Sequence, residues 1–324
     1  MIRGRDPSPS STLCRGDPSR PRAGRRWTGP TGRGTVCSPL AEDPMPDLSR
    51  WFVSNEWLAK HLADPDLVII DGSWHLPTMG RSGEAEYRGA HIPGAVFFDI
   101  DKVADTSNPL PHMLPSSEKF AETVGALGID ERAQIVVYDS LGLNSAPRTW
   151  WTFKVMGADD VVLLAGGLPK WQAEGRSVDD RPVQRAARTF HVHFKPDAVR
   201  DLGAVRANLA SRAFQLVDAR PAARFTGEAP EPRPWVKPGR VPGSFSVPMG
   251  DIVADGRLKD LATLRARFVA AGVDLDQPIV TSCGSGVNAA MLTLALDILG
   301  VKSALYDGSW TEWGARDDTP IATG

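Results

Sequence analysis

The run VSNEWLAKHL (53–62) sets apolar residues at helical spacing behind a Ser cap, and LVIIDG (67–72) follows as an unbroken apolar run that ends in an acid, the pattern of a buried strand. The alternation continues through HIPGAVFFDI (91–100), a helical pattern around 119–129, the strand QIVVYDS (134–140), the helical APRTWWTFKVMG (146–157) and the strand VVLLAGG (161–167). Short apolar strands alternating with helices predict an α/β fold: a mainly parallel sheet flanked by helices on both faces.

The second half repeats this order. FQLVDARPAARF (214–225) answers LVIIDGSW, RVPGSFSVP (240–248) answers HIPGAVFFD, and the helical LATLRARFVAAGV (261–273) answers the pattern at 119. PIVTSCGSG (278–286) answers QIVVYDSLG, and SALYDGSWTEW (303–313) answers VVLLAGGLPKW. Two tandem domains of one fold are expected, at 46–178 and 201–320, with the mostly polar stretch 179–200 and its two Pro as linker. Laying the halves on each other sets Asp139 against Cys283, so the first domain keeps the scaffold without the thiol. It is expected to be catalytically silent and the second domain catalytic.

Composition changes this picture at one end only. Residues 1–44 carry eight Arg, four acids and no Lys, with many Pro and Gly and no apolar periodicity; such a segment buries too little to offset its ordering entropy and is expected to be a disordered leader. It lacks the apolar core of a secretory signal. Over all 324 residues the hydrophobic share of 42% and charged share of 23% are those of a globular protein. A net charge of −2 offers no general attraction for nucleic acid or an anionic membrane, and no apolar run is long enough to span a bilayer. Cys14, Cys37 and Cys283 form no CxxC pair, which argues against a zinc or dithiol site and for a reducing, cytoplasmic location.

Cys283 stands where a parallel strand turns into a helix expected over Val287–Leu299, with Gly300 as its C-cap. That edge of such sheets is where ligand sites gather. Gly284 and Gly286 let the turn curl until successive N–H groups point inward, toward an anion at the cysteine. Lowering a thiol from about 8.5 to about 6.5 needs roughly 2.7 kcal/mol, within reach of a helix terminus and a few charge-assisted N–H bonds. The turn by itself fits an inert buried cysteine equally well.

The fixed order of motifs is more specific. HIPGAVFFDID (91–101), LPHMLP (110–115), SAPRTWW (145–151), GGLPKW (166–171), DARPAARF (218–225), PEPRP (230–234), CGSGV (283–287) and YDGSWTEWGAR (306–316) together resemble the tandem rhodanese-fold sulfurtransferases, most closely the 3-mercaptopyruvate group. The resemblance covers about residues 50–318. It implies that Cys283 takes sulfur from 3-mercaptopyruvate as a persulfide, releases pyruvate and passes the sulfur to a thiol such as thioredoxin or to cyanide, with no metal or organic cofactor. Gly284, Gly286, Val287 and Asn288 would form the persulfide loop, Arg224 and Arg233 would hold the substrate carboxylate and keto oxygen, and Ser285 would donate to a substrate oxygen. Relatives acting on thiosulfate carry the basic loop CRKGV, whereas the loop here is uncharged, which favours a donor whose charge lies away from the attacked sulfur.

Other residues are weighed against plainer roles. In related enzymes the serine has been linked to a His and an Asp; His91 is matched to that His as a possible auxiliary residue, but no Asp lies between Gly72 and Phe98, so the acid is missing or replaced by Glu84 or Glu86, and a structural role is expected. Arg220 and Arg148 are expected to brace the scaffold. Arg240 and Asn288 depart from the family's His and Thr. A Cys-dependent phosphatase would need Arg six places after the Cys, where Ala289 stands. A thiosulfate:cyanide sulfurtransferase, or a non-enzymatic persulfide carrier or binding module, remains the alternative.

Overall fold

The computed structural model describes residues 48–324. The expected leader at 1–44, with Cys14 and Cys37, lies outside the described residues.

Five strands build the first sheet: β1 (Phe52–Val53), β2 (Leu67–Asp71), β3 (Val96–Phe97), β4 (Gln134–Tyr138) and β5 (Val161–Leu164), in the order β1-β5-β4-β2-β3 and all parallel. The second sheet repeats it with β6 (Val199–Arg200), β7 (Gln215–Asp218), β8 (Phe245–Ser246), β11 (Ile279–Ser282) and β12 (Ser303–Tyr306), in the order β6-β12-β11-β7-β8. A short antiparallel hairpin, β9 (Val253–Ala254) and β10 (Arg257–Leu258), belongs to the second half alone. Strands β2 and β4 are covered on both faces, which is why they read as continuous apolar runs instead of alternating. The expected α/β architecture of two like sheets flanked by helices is what the chain adopts.

Register fixes the site. Asp71 pairs with Tyr138 and Ser282 with Asp218, so the next residues, Asp139 and Cys283, leave the carboxyl edge of the central strand at equivalent points. The helices that follow, Ala146–Met156 and Ala289–Ile298, pack against each other across the boundary between the halves. Each is buried almost all round, so neither shows the single apolar stripe of a surface helix. One apolar cluster runs through both halves.

Two local differences have clear causes. The helix expected from Val287 begins at Ala289, because Gly286 sits at φ +81° and the chain uses Val287 and Asn288 to finish the curl. The polar stretch 179–198 is a strap laid on the first half: Asp179 bridges His91, Arg188 N–H donates to Gly125 O at 2.9 Å, and Phe190 packs edge-on to Phe120. Its last neighbours, Val199–Arg200, are already the edge strand of the second sheet.

Candidate active site

Cys283 is a free, buried thiol at the end of β11. Its loop is held from behind by the YDGSWTEW segment. The Cys283 N–H donates to Ser309 Oγ (3.2 Å), while the N–H groups of Trp310 and Thr311 donate to the carbonyls of Cys283 (3.0 Å) and Gly284 (2.7 Å). A side chain on Gly286 would put its Cβ 2.7 Å from Arg148 Nη1 and 3.0 Å from Asp307 O, so this position must be glycine for space as well as for its positive φ.

The first half shows what such a loop is built to hold. Asp139 Oδ2 accepts from the N–H groups of Asn144 (2.7 Å), Ser145 (2.9 Å) and Ala146 (2.8 Å), and Oδ1 from that of Leu141 (2.9 Å). The cradle there is filled by the protein's own carboxylate. In the second half the N–H groups of Ala289, Ser285 and Asn288 act on the Cys283 sulfur in the same sense.

They do not prevail over burial. Removal from water pushes the Cys283 thiol above its ordinary value, Asp218 adds to the rise, and the three N–H groups only oppose it. The expectation that the loop's donors could suffice to lower the thiol pKa left out desolvation, which for this enclosed sulfur acts in the opposite sense and is the larger effect.

Over Cys283 lies a narrow pocket of about 80 Å³ between the halves. Gly284, Ser285, Val287 and Asn288 of the loop line it, together with Arg224 and Arg233 from the second half and Trp74, Leu76, Met79 and Asn144 from the first. A larger groove of about 420 Å³, walled by Phe52, Leu143, Leu258 and Leu264, holds no cysteine, histidine or carboxylate. Size therefore does not choose the site.

The two arginines differ in state. Arg224 reaches over the loop, its Nη2 3.3 Å from where a Cβ on Gly284 would stand, and is ion-paired with the buried Glu231. The Arg233 side chain makes no hydrogen bond or ion pair among the described residues; burial pushes its guanidinium pKa down, while Cys283 and Asp101 pull it back up. Arg220, fully buried, spans Asp218 and Glu231 and lies over the Trp310 ring. Its guanidinium braces the end of β7.

His91 lies elsewhere. Its Nδ1 is 2.7 Å from Tyr87 O, its ring stacks on Tyr87, its backbone closes the bridge to Asp179, and it borders a separate groove on the first half. The auxiliary role considered for it has no geometry here. Arg240 does the same work in the second half, bridging Ala322 and lying over Phe225. A different imidazole–carboxylate pair stands behind Trp74, a residue of the pocket wall: His112 Nδ1 is 2.8 Å from Asp101 Oδ1, and Asp101 Oδ2 accepts from the indole N–H of Trp74 at 3.0 Å. Burial pushes the His112 pKa down, against the pull of Asp101. Sequence reasoning missed this pair because it sought the acid between Gly72 and Phe98; both members lay in motifs already in view, FFDID and LPHMLP.

Among the described residues no group of three or more His, Cys, Asp or Glu is placed to hold a metal ion, and no helix is long and apolar enough to cross a membrane.

Comparison with known proteins accords with this geometry. The family model for the rhodanese-like domain matches twice, over residues 54–174 and 201–316. The 3-mercaptopyruvate sulfurtransferase of Escherichia coli (strain K12) is 44% identical over 273 residues, covering 84% of this chain and 97% of the relative. The mitochondrial thiosulfate/3-mercaptopyruvate sulfurtransferase 1 of Arabidopsis thaliana is 41% identical over 292 residues, covering 83% and 77%. Among solved structures, the crystal structure of an Escherichia coli 3-mercaptopyruvate sulfotransferase with the rhodanese fold superposes with a TM-score of 0.75 at 42% identity, covering 80% of this chain and 98% of that one.

Proposed function

The chain belongs to the rhodanese family of sulfurtransferases, and from that premise we propose that it moves sulfane sulfur from 3-mercaptopyruvate through a persulfide on Cys283 to a thiol acceptor, releasing pyruvate. The observation that carries this reading is the unpaired Arg233 guanidinium beside Arg224 in the pocket over Cys283, next to an uncharged loop. A planar fork of N–H donors suits a carboxylate and its adjacent keto oxygen.

The step balances as follows. Cys283 sulfur bonds to the sulfur of the donor, the donor's C–S bond breaks, and its electron pair leaves on carbon as the enolate of pyruvate. The thiol proton of Cys283 replaces the lost sulfur on that carbon, so thiol plus mercaptopyruvate gives persulfide plus pyruvate with no change of total charge. The arginines favour the step by meeting the charge that grows on the enolate oxygen. The N–H groups of Ser285, Asn288 and Ala289 favour the sulfur anion on either side of it. We assign the proton relay around Ser285 to His112 and Asp101 in place of His91: a neutral, buried imidazole held by a carboxylate can accept a proton. The first half is then catalytically silent in its own loop, where Asp139 fills the cradle, yet supplies Trp74, Asn144, Asp101 and His112 to the shared site.

A second thiol, such as that of thioredoxin, would take the outer sulfur, and the need for reduced cysteine fits a cytoplasmic setting. No step requires a metal or an organic cofactor, a nucleic acid or a membrane. The test is kcat/KM for 3-mercaptopyruvate against thiosulfate with cyanide as common acceptor. The expected result is a preference for mercaptopyruvate that collapses in Arg233→Ala and vanishes in Cys283→Ser. A preference for thiosulfate would reassign the donor, and no turnover of either would leave a persulfide carrier or binding module.

A further inference from the structure

Beside the Cys283 loop four charged side chains form one chain. Asp218 takes Nη2 of Arg220 at 2.7 Å, Arg220 Nη1 takes Glu231 Oε1 at 2.7 Å, and Glu231 Oε2 takes Nη2 of Arg224. The side chain of Glu231 is 3% exposed and those of Arg220 and Asp218 are 1% and 5%, so these charges are not screened by water. Two cations and two anions cancel. Of the three arginines that line the pocket, Arg220 and Arg224 are therefore already neutralised, whereas the Arg233 side chain has no hydrogen-bond or ion-pair partner among the described residues. Arg224 keeps one buried polar atom unpaired, its Nε, which leaves it able to donate a hydrogen bond without offering a net charge.

The geometry points to Glu231 as the residue that sets the charge of the sulfur donor, by offsetting the charge of Arg224 over Gly284 so that the pocket presents one cation without an ion-pair partner among the described residues and accepts a monoanion over a dianion. This rests on the donor pocket proposed above. A mercapto-keto acid brings one negative charge, which Arg233 matches. Thiosulfate brings two, and the second would find no free cation, because Arg220 and Arg224 are already paired with Asp218 and Glu231. Glu231 is a positioning residue: it acts through Arg224 and does not face the pocket itself.

The scale of the effect follows from one charge at about 6 Å under an effective dielectric of about 20, which corresponds to roughly a hundredfold in an equilibrium or rate ratio. Glu231→Gln should raise the ratio of kcat/KM for thiosulfate to that for mercaptopyruvate by about ten- to a hundredfold, through a lower KM for thiosulfate, and Glu231→Asp should keep the ratio near wild type. A readout that needs no turnover is alkylation of Cys283 by anionic iodoacetate against neutral iodoacetamide. The rate ratio should rise at least about fivefold in Glu231→Gln, and in the wild-type background it should fall several times further in Arg233→Gln than in Arg224→Gln. An unchanged ratio in folded Glu231→Gln, or equal losses in the two arginine variants if Glu231→Gln does not fold, would overturn the inference. If alkylation follows this pattern while neither donor is turned over, the assigned reaction fails and the role of Glu231 stands.

Discussion

Arg148 Nη2 and Asp307 Oδ1 stand 2.7 Å apart, one from each half of the chain and both buried. The same guanidinium donates to His112 O (2.5 Å) and to Gly286 O (3.4 Å), and lies over the Trp151 ring; Asp307 Oδ2 in turn accepts from the N–H of Leu114 (2.7 Å). One ion pair thus joins the halves, the Cys283 loop and the segment that carries His112. Breaking a buried pair strands the remaining charge. Arg148→Met should lower unfolding free energy by about 3–5 kcal/mol. Adding Asp307→Asn should recover part of that loss, and a double variant as unstable as the sum of the singles in denaturant titrations would show that the charges act separately.

Gly286→Ala should damage function before it damages the fold. The φ of +81° costs an alanine about 1–2 kcal/mol. The new Cβ would also meet Arg148 Nη1 at 2.7 Å, pressing on the pair just described. Thermal unfolding of the variant should drop by several degrees while sulfur transfer falls by orders of magnitude; retained kcat would mean that the curl of the loop is not required for chemistry.

Asp71 gives a pH signature. Burial raises its carboxyl to about 6 against the hydrogen bonds from Ser73, from an ordinary value of 3.8. A raised folded-state pKa means that ionisation costs stability: the cost is absent below about pH 4, grows between about 4 and 6, and is complete above 6, where it amounts to about 3 kcal/mol for a shift of this size. Asp71→Asn keeps the acceptor for the Ser73 N–H at 2.9 Å and removes the charge. Its unfolding midpoint should exceed wild type at pH 7–8 and converge with it near pH 4; a gain of equal size at both would refute the assignment.

Much of the fold was legible because it is written twice. Strands β2 and β4 announced themselves by unbroken apolar runs, and the halves then checked each other: Asp139 against Cys283, and His91 against Arg240, each closing one antiparallel bridge beside its sheet. Cys283, Arg224 and Arg233, singled out where motif and chemistry coincide, are brought together in one pocket. What the sequence hid were relations across the boundary between halves. The strap at 179–198 looked polar because its few apolar anchors, such as Phe190, are spaced by residues that face solvent. The state of the thiol was hidden for a related reason, since enclosure of Cys283 depends on first-half residues such as Trp74 and Asn144 that no local pattern connects to it.

His91 and His112 can be told apart by one pair of variants. His91 is closed into the first half by Tyr87 and Asp179, so His91→Gln should lower thermal stability and leave kcat within about threefold. His112 pairs with Asp101 beside the pocket wall, and loss of a general acid–base partner is worth about 10²–10⁴ in rate, so His112→Gln should lower kcat far more than KM. Equal losses of activity in the two variants would overturn the assignment of the relay to His112.

The protonation of Cys283 is open to direct titration. Burial holds the thiol above its ordinary value, so in the free protein the thiolate absorbance near 240 nm and the rate of iodoacetamide alkylation should climb through the alkaline range without levelling off near neutrality. Opening the pocket with Trp74→Ala admits water to the sulfur, which weakens the first cause of the shift; the alkylation profile should then move to lower pH. An inflexion near neutrality in the wild type would mean that the N–H groups of Ser285, Asn288 and Ala289, with Arg233, prevail over desolvation after all. The thiol would then attack as a preformed anion, and the proton delivered to pyruvate would have to come from solvent or from His112 instead of from Cys283.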